Sequence, residues 1–153
     1  MKINEILQTT AQYLVPHLSK TMKDIDVLIA AKLRASQFDL TKNQLILLRC
    51  ISMGVKSQSE LSVITHRNKS SLTRLVQGME KKGLVERTMS ESDKRHQVVV
   101  LTEDGKTLYE QAMPVVEACF KQMESGLTKK QVEQTKEILF RMQQNVEKEL
   151  ENL

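Results

Sequence analysis

The chain has 153 residues and a net charge of +4, with 27% charged residues and only 3% aromatic ones. That length suits one domain, or one small domain with helical extensions, whose core must rest on Leu, Ile, Val and the 8 Met. No run of about 20 uncharged apolar residues occurs, so no transmembrane helix is expected. Residues 1–15 also lack the apolar run and small-residue cleavage site of a signal peptide. Cys50 and Cys119 stand far apart and no Cys-x-x-Cys occurs, which fits reduced thiols and a cytoplasmic protein.

In chain order, Ile3, Ile6, Leu7 and Leu14 fit a short amphipathic helix before Pro16. Beyond it Leu18, Met22, Ile25, Ile29 and Leu33 step by three or four, the spacing of one apolar helical face. Pro16 suits the start of that helix, where a missing N–H costs nothing. Thr41-Lys-Asn-Gln44 has the form of a capping box opening a helix through Leu45, Leu48 and Ile51, and Gly54 suits its end. Ser57-Gln-Ser-Glu60 has the same form before a short helix with Leu61 and Ile64. Asn68 is the expected cap of a third helix, with Leu72, Leu75, Val76 and Met79 as its apolar face and Gly83 as its stop.

The period then changes. Leu84–Thr88 and Val98–Leu101 read as short strands around a polar loop, Ser90–His96. Thr102 is expected to cap a long helix reaching about Ser125, bent at Pro114 by a lost backbone hydrogen bond. Thr128-Lys-Lys-Gln131 is a further capping box, and Val132, Thr135, Ile138, Leu139, Met142 and Val146 lie on the face of the helix it opens. Three helices with a short middle one and a basic third, followed by a hairpin, make a winged helix-turn-helix. The expected fold is mainly α with a small β-hairpin wing: helices over residues 1–36 and 103–153 flank residues 37–102, which form the DNA-binding unit.

Charge distribution supports that order. Residues 41–102 hold eleven Lys/Arg against five Asp/Glu, whereas residues 103–153 hold seven against ten. Positive charge gathered in one segment points to a polyanion partner. No acidic residue occurs from Ser62 to Met79, so nothing there repels phosphate. The third helix would bury its apolar face and present Asn68, Lys69, Ser70, Ser71, Thr73, Arg74 and Gln77 to the major groove. Arg74 is the leading base reader, because its fork can bind guanine O6 and N7 together. The wing would add Lys94, Arg95 and His96 at the minor groove, with Asp93 orienting Arg95 by a charge-assisted hydrogen bond.

Leu72-Thr-Arg-Leu-Val76, Met79-Glu-Lys-Lys-Gly-Leu-Val-Glu-Arg87, Asp93-Lys-Arg95 and Val100-Leu-Thr-Glu-Asp-Gly105 together resemble the MarR family (multiple antibiotic resistance regulators). The resemblance runs from Asp26 to about Leu150 and is strongest from Ser57 to Gly105. It implies a homodimer on pseudo-palindromic promoter DNA, with interlocked helices from both chain ends. It also implies a repressor released by a small phenolic or other lipophilic effector. The effector is expected where the Pro16–Ser36, Thr41–Met53 and Thr102–Ser125 helices converge. The first 15 or so residues depart from the family pattern as an added helix.

Three other readings stand beside this one. Cys50 or Cys119 could make the chain a redox-responsive regulator, although buried cysteine is usually a small hydrophobe. A winged helix can also bind protein instead of DNA, in which case the basic face and wing would not be needed. An enzyme finds no support, since no Ser/His/Asp set, phosphate loop or paired carboxylates emerge. His17, His66 and His96 repeat no metal-ligand spacing, and neither a metal nor a cofactor is expected.

Overall fold

The computed structural model describes residues 12–90 and 97–153. Helix α1 spans Leu14–Ala35, α2 Lys42–Ser52, α3 Gln58–Ile64 and α4 Lys69–Lys81. Strands β1 (Val85–Met89) and β2 (Gln97–Leu101) follow, then α5 (Glu103–Met123) and α6 (Lys129–Glu151). The helix expected around Ile3, Ile6 and Leu7 lies outside the described residues. Leu14 belongs to α1, which begins two residues before Pro16 and places it in the first turn.

Tyr13 offers α1 no side-chain cap, but α2 to α6 each begin where the sequence offers an acceptor for the free amides of a first turn. At α2 the Thr41 hydroxyl accepts from the Gln44 amide at 3.3 Å, and Gln44 Oε1 accepts from the Thr41 amide at 2.9 Å. This reciprocal box explains why Gln44, a polar side chain, is buried. Thr128 and Gln131 form the same box at α6. The expected box at α3 is half made: Ser57 Oγ accepts from the Glu60 amide at 3.5 Å, with no return bond from Glu60. Thr102 opens α5 by accepting from the Gly105 amide at 3.0 Å, while its own hydroxyl donates to the Gly83 carbonyl. The left-handed backbone needed after α2 and α4 falls on Gly54 (φ 94°) and Gly83 (φ 69°).

β1 and β2 pair antiparallel, Val85 opposite Leu101 and Met89 opposite Gln97. The segment before α3 joins them: Ser57 bridges Val98, and the Val99 amide donates to the Lys56 carbonyl at 2.9 Å. That contact was not legible in the sequence, because one bridge leaves no alternating pattern.

The described residues divide into two compact units, the first ending at Cys119 and the second spanning Phe120–Leu153. In the first, Leu33 of α1, Leu47, Leu48 and Ile51 of α2, and Leu61 of α3 share a core with Leu72, Val76 and Met79 of α4. Leu40, Leu45, Leu84, Val85, Val99, Ala112 and Val116 also belong to it. Leu75, expected on the buried face of α4, is half-buried at its edge. Gly105 is held tightly: a Cβ there would stand 1.9 Å from the Leu84 carbonyl oxygen. Helix α5 continues without interruption through Pro114. In the second unit α6 buries no residue, and Ile138, Leu139, Phe140, Val146 and Leu150 are all exposed.

Candidate nucleic-acid interface

The turn between α3 and α4 is fixed by a clasp. The Ser62 hydroxyl donates to the Arg67 carbonyl, and the Arg67 amide donates back to the Ser62 carbonyl at 3.0 Å. Within the turn His66 adopts a left-handed backbone, φ 49°. Asn68 then caps α4, its Oδ1 accepting from the Ser71 amide at 2.9 Å, as its place before the apolar repeat predicts.

From that start the helical period separates two faces. Leu72, Val76 and Met79 are fully buried, which anchors α4 to the core. Asn68, Lys69, Ser70, Arg74 and Gln77 are exposed, and Ser71 and Thr73 are half-buried. The seven candidates thus share one helix and its cap. Among the described residues, neither Lys69 nor Arg74 has an ion-pair partner, so both cations remain available to an anion.

The hydroxyls are not equivalent. Ser70 Oγ donates to Asn68 Oδ1 at 2.9 Å, and Thr73 Oγ1 donates to the Lys69 carbonyl at 2.8 Å. Ser71 Oγ instead accepts, from Arg67 Nη1, at 2.8 Å. Arg67 was not among the sequence candidates, although its distance of four residues from Ser71 is a helical-contact spacing.

Acidic groups near the end of α4 are already neutralised. Glu80 Oε2 holds Arg87 Nη1 of β1 at 2.6 Å, with both side chains largely buried. Lys82 reaches the α1–α2 loop, donating to the Asp39 carboxylate at 2.6 Å and to its carbonyl at 3.1 Å. That ammonium holds the Asp39 carboxyl below its ordinary range, chiefly through the hydrogen bond. These contacts tie the C-terminal end of α4 to β1 and to the α1–α2 loop. The wing candidates Asp93, Lys94, Arg95 and His96 lie outside the described residues.

Cys50 sits half-buried in α2, where burial pushes its thiol pKa up more than neighbouring Arg49 lowers it. A thiol kept protonated is a poor target for oxidation. Cys119 is buried. Among the described residues no cluster of three or more His, Cys, Asp or Glu could hold a metal ion, and no described helix is long and apolar enough to cross a membrane.

A family model described as MarR family matches residues 38–96, a segment that starts in the α1–α2 loop and ends just before β2. The uncharacterised HTH-type transcriptional regulator YdcH of Bacillus subtilis is 32% identical over 87 residues, 54% of this chain and 59% of that protein. The transcriptional repressor MprA of Escherichia coli is 34% identical over 90 residues, 56% of this chain and 51% of that protein. The chain thus matches little more than half the length of these curated relatives. Likeness of structure runs further. A mutant MarR from Escherichia coli, complexed with operator DNA, is 25% identical, with a TM-score of 0.76 over 93% of this chain and 98% of that one. Element order, the capped α4 and the paired strands agree with these four matches: residues 38–96 are similar to the MarR family, and the fold is that of the solved MarR structure.

Proposed function

We propose that the chain is a sequence-specific DNA-binding transcriptional regulator of the cytoplasm, a repressor that works as a homodimer and catalyses no reaction. The observation that carries this reading is the face of α4. Its apolar residues are spent on the core, while Arg74, Lys69 and Gln77 project from a stretch without a single acidic side chain. That division of labour is what major-groove reading requires, one face for anchorage and the other for base edges. A protein-docking winged helix would have no use for cations there that lack an ion-pair partner among the described residues.

Dimerisation falls to the helices at the two chain ends. Helix α6 has the apolar periodicity of a packed helix yet leaves Leu139, Val146 and Leu150 exposed in one chain. An exposed apolar face of that extent marks an interaction surface, and a second copy of the chain covers it. The dimer then sets two copies of α4 about one helical turn of DNA apart, roughly 34 Å, one in each half-site.

The effector site is a cavity of about 340 Å³ between the end of α2, β2 and α5. Ile51, Val100 and Leu101 give it an apolar lining, and Lys56, Lys106 and Tyr109 give it hydrogen-bonding groups. It lies against α2 and α5 and takes no residue from α1, whereas all three helices are expected from the sequence to meet there. A phenolic or other lipophilic molecule held there releases DNA only by favouring an arrangement of the two α4 helices that does not fit the half-site spacing.

Selection from a random duplex library tests the reading. Purified protein, sequenced duplexes and repeated capture should enrich an inverted repeat with half-sites one turn apart. Recovery of unrelated sequences after several rounds would refute it.

A further inference from the structure

We infer that Arg67 is a positioning residue for DNA recognition, and that it acts through Ser71 by fixing that hydroxyl as a hydrogen-bond donor. The inference rests on the DNA-binding reading of α4. It begins from the difference among three hydroxyls that the sequence alone leaves equal.

A serine or threonine hydroxyl has one hydrogen to give. Ser70 gives its hydrogen to Asn68 Oδ1, and Thr73 gives its to the Lys69 carbonyl. Toward a partner these two can only accept. The Arg67 guanidinium is all donor, so at 2.8 Å it makes Ser71 Oγ an acceptor and leaves the Ser71 hydrogen uncommitted. Among the described residues Ser71 donates to nothing. A cation bound to a hydroxyl oxygen also polarises its O–H bond, which strengthens the bond that hydrogen makes.

What Ser71 needs is therefore an acceptor. Duplex DNA offers phosphate oxygens along its backbone and, in the major groove, purine N7, guanine O6 and thymine O4. Ser70 and Thr73 are matched to the opposite chemistry, the amino groups of adenine and cytosine. Arg67 is held for its task by the turn. Its amide and carbonyl are both taken by Ser62, so its backbone is fixed while its side chain spans the four residues to Ser71.

The test is a double-mutant cycle on the duplex that the wild-type protein selects, read by fluorescence anisotropy. Ser71→Ala should weaken binding by about tenfold, the usual cost of a charge-assisted hydrogen bond. Arg67→Ala should weaken it similarly, and the double variant no further. Ser71→Thr and Arg67→Lys, which keep the hydroxyl and the cation, should restore most of the affinity. Duplexes carrying one neutral methylphosphonate, or one 7-deazapurine, locate the acceptor. At one position the modification should weaken wild-type binding yet leave both alanine variants unaffected. A methylphosphonate position identifies a phosphate and a deazapurine position a base. A merely structural Arg67 would lower melting temperature without this position-specific coupling. Wild-type affinity in Ser71→Ala, or losses that add in the double variant, would overturn the proposal while leaving the regulator reading intact. Failure of the wild-type protein to prefer any duplex would overturn both.

Discussion

Arg74 carries the largest single expectation. Its side chain is exposed and unpaired among the described residues, so a bidentate contact to guanine is open to it. Arg74→Ala should cost about 1–3 kcal/mol of specific binding and relax preference at one base pair. Competition among half-site variants measures this, and an unchanged preference would exclude base reading. Cys50 carries an expectation of opposite sign. Its pKa is raised above the ordinary thiol value, so its thiolate is scarce near neutral pH. Alkylation by iodoacetamide should be slower than for free cysteine and should accelerate only at distinctly alkaline pH. Rapid neutral alkylation would revive the redox-responsive alternative. At this scale much was legible in the sequence: Asn68 as a cap, the buried faces of α4, and the seven exposed or half-exposed candidates. The sequence could not show which hydroxyls had already spent their hydrogens, because that depends on partners brought together by a turn. Arg67 was missed for the same reason.

Among the elements, the connections around α4 decide how firmly the proposed recognition face is held. Gly105 lies where α5 starts against the Leu84 carbonyl, and that oxygen belongs to backbone that cannot swing away. Gly105→Ala should therefore destabilise the fold by at least about 1–3 kcal/mol, the usual cost of overpacking, measured by urea unfolding. A neutral effect would mean that α5 moves aside freely. The Lys82–Asp39 pair is exposed and contributes little. Its pH dependence has a definite sign all the same: because the folded-state carboxyl titrates below its ordinary value, the contribution is present above that value, 3.8, and is lost as pH falls through the lower folded value. Asp39→Asn should remove this acid-side dependence, seen in melting temperature against pH. The boundaries of α2 and α6 followed from their capping boxes, since both partners sit within four residues. The bridge from Ser57 to Val98 and the Glu80–Arg87 pair were hidden, because they depend on register across elements.

For the whole molecule, the sequence revealed a fold class because local signals agreed with one another: period, caps, breaker glycines and the basic middle segment. It did not reveal which residues line the proposed effector cavity, because cavities arise from the mismatch of packed elements and leave no periodic trace. The exposed apolar face of α6 predicts that the protein sediments as a dimer, and that charged substitutions at Leu139 and Val146 together shift it toward monomer. Specific DNA binding should weaken with it, since one half-site offers half the contacts. The central claim, that this basic helical face reads a particular duplex, is tested most directly by anisotropy on the selected duplex and on a scrambled one at two salt concentrations. The account predicts tighter binding to the selected duplex at both, with affinity falling steeply as salt rises because phosphate contacts release counterions. Equal affinity for the two duplexes would contradict it.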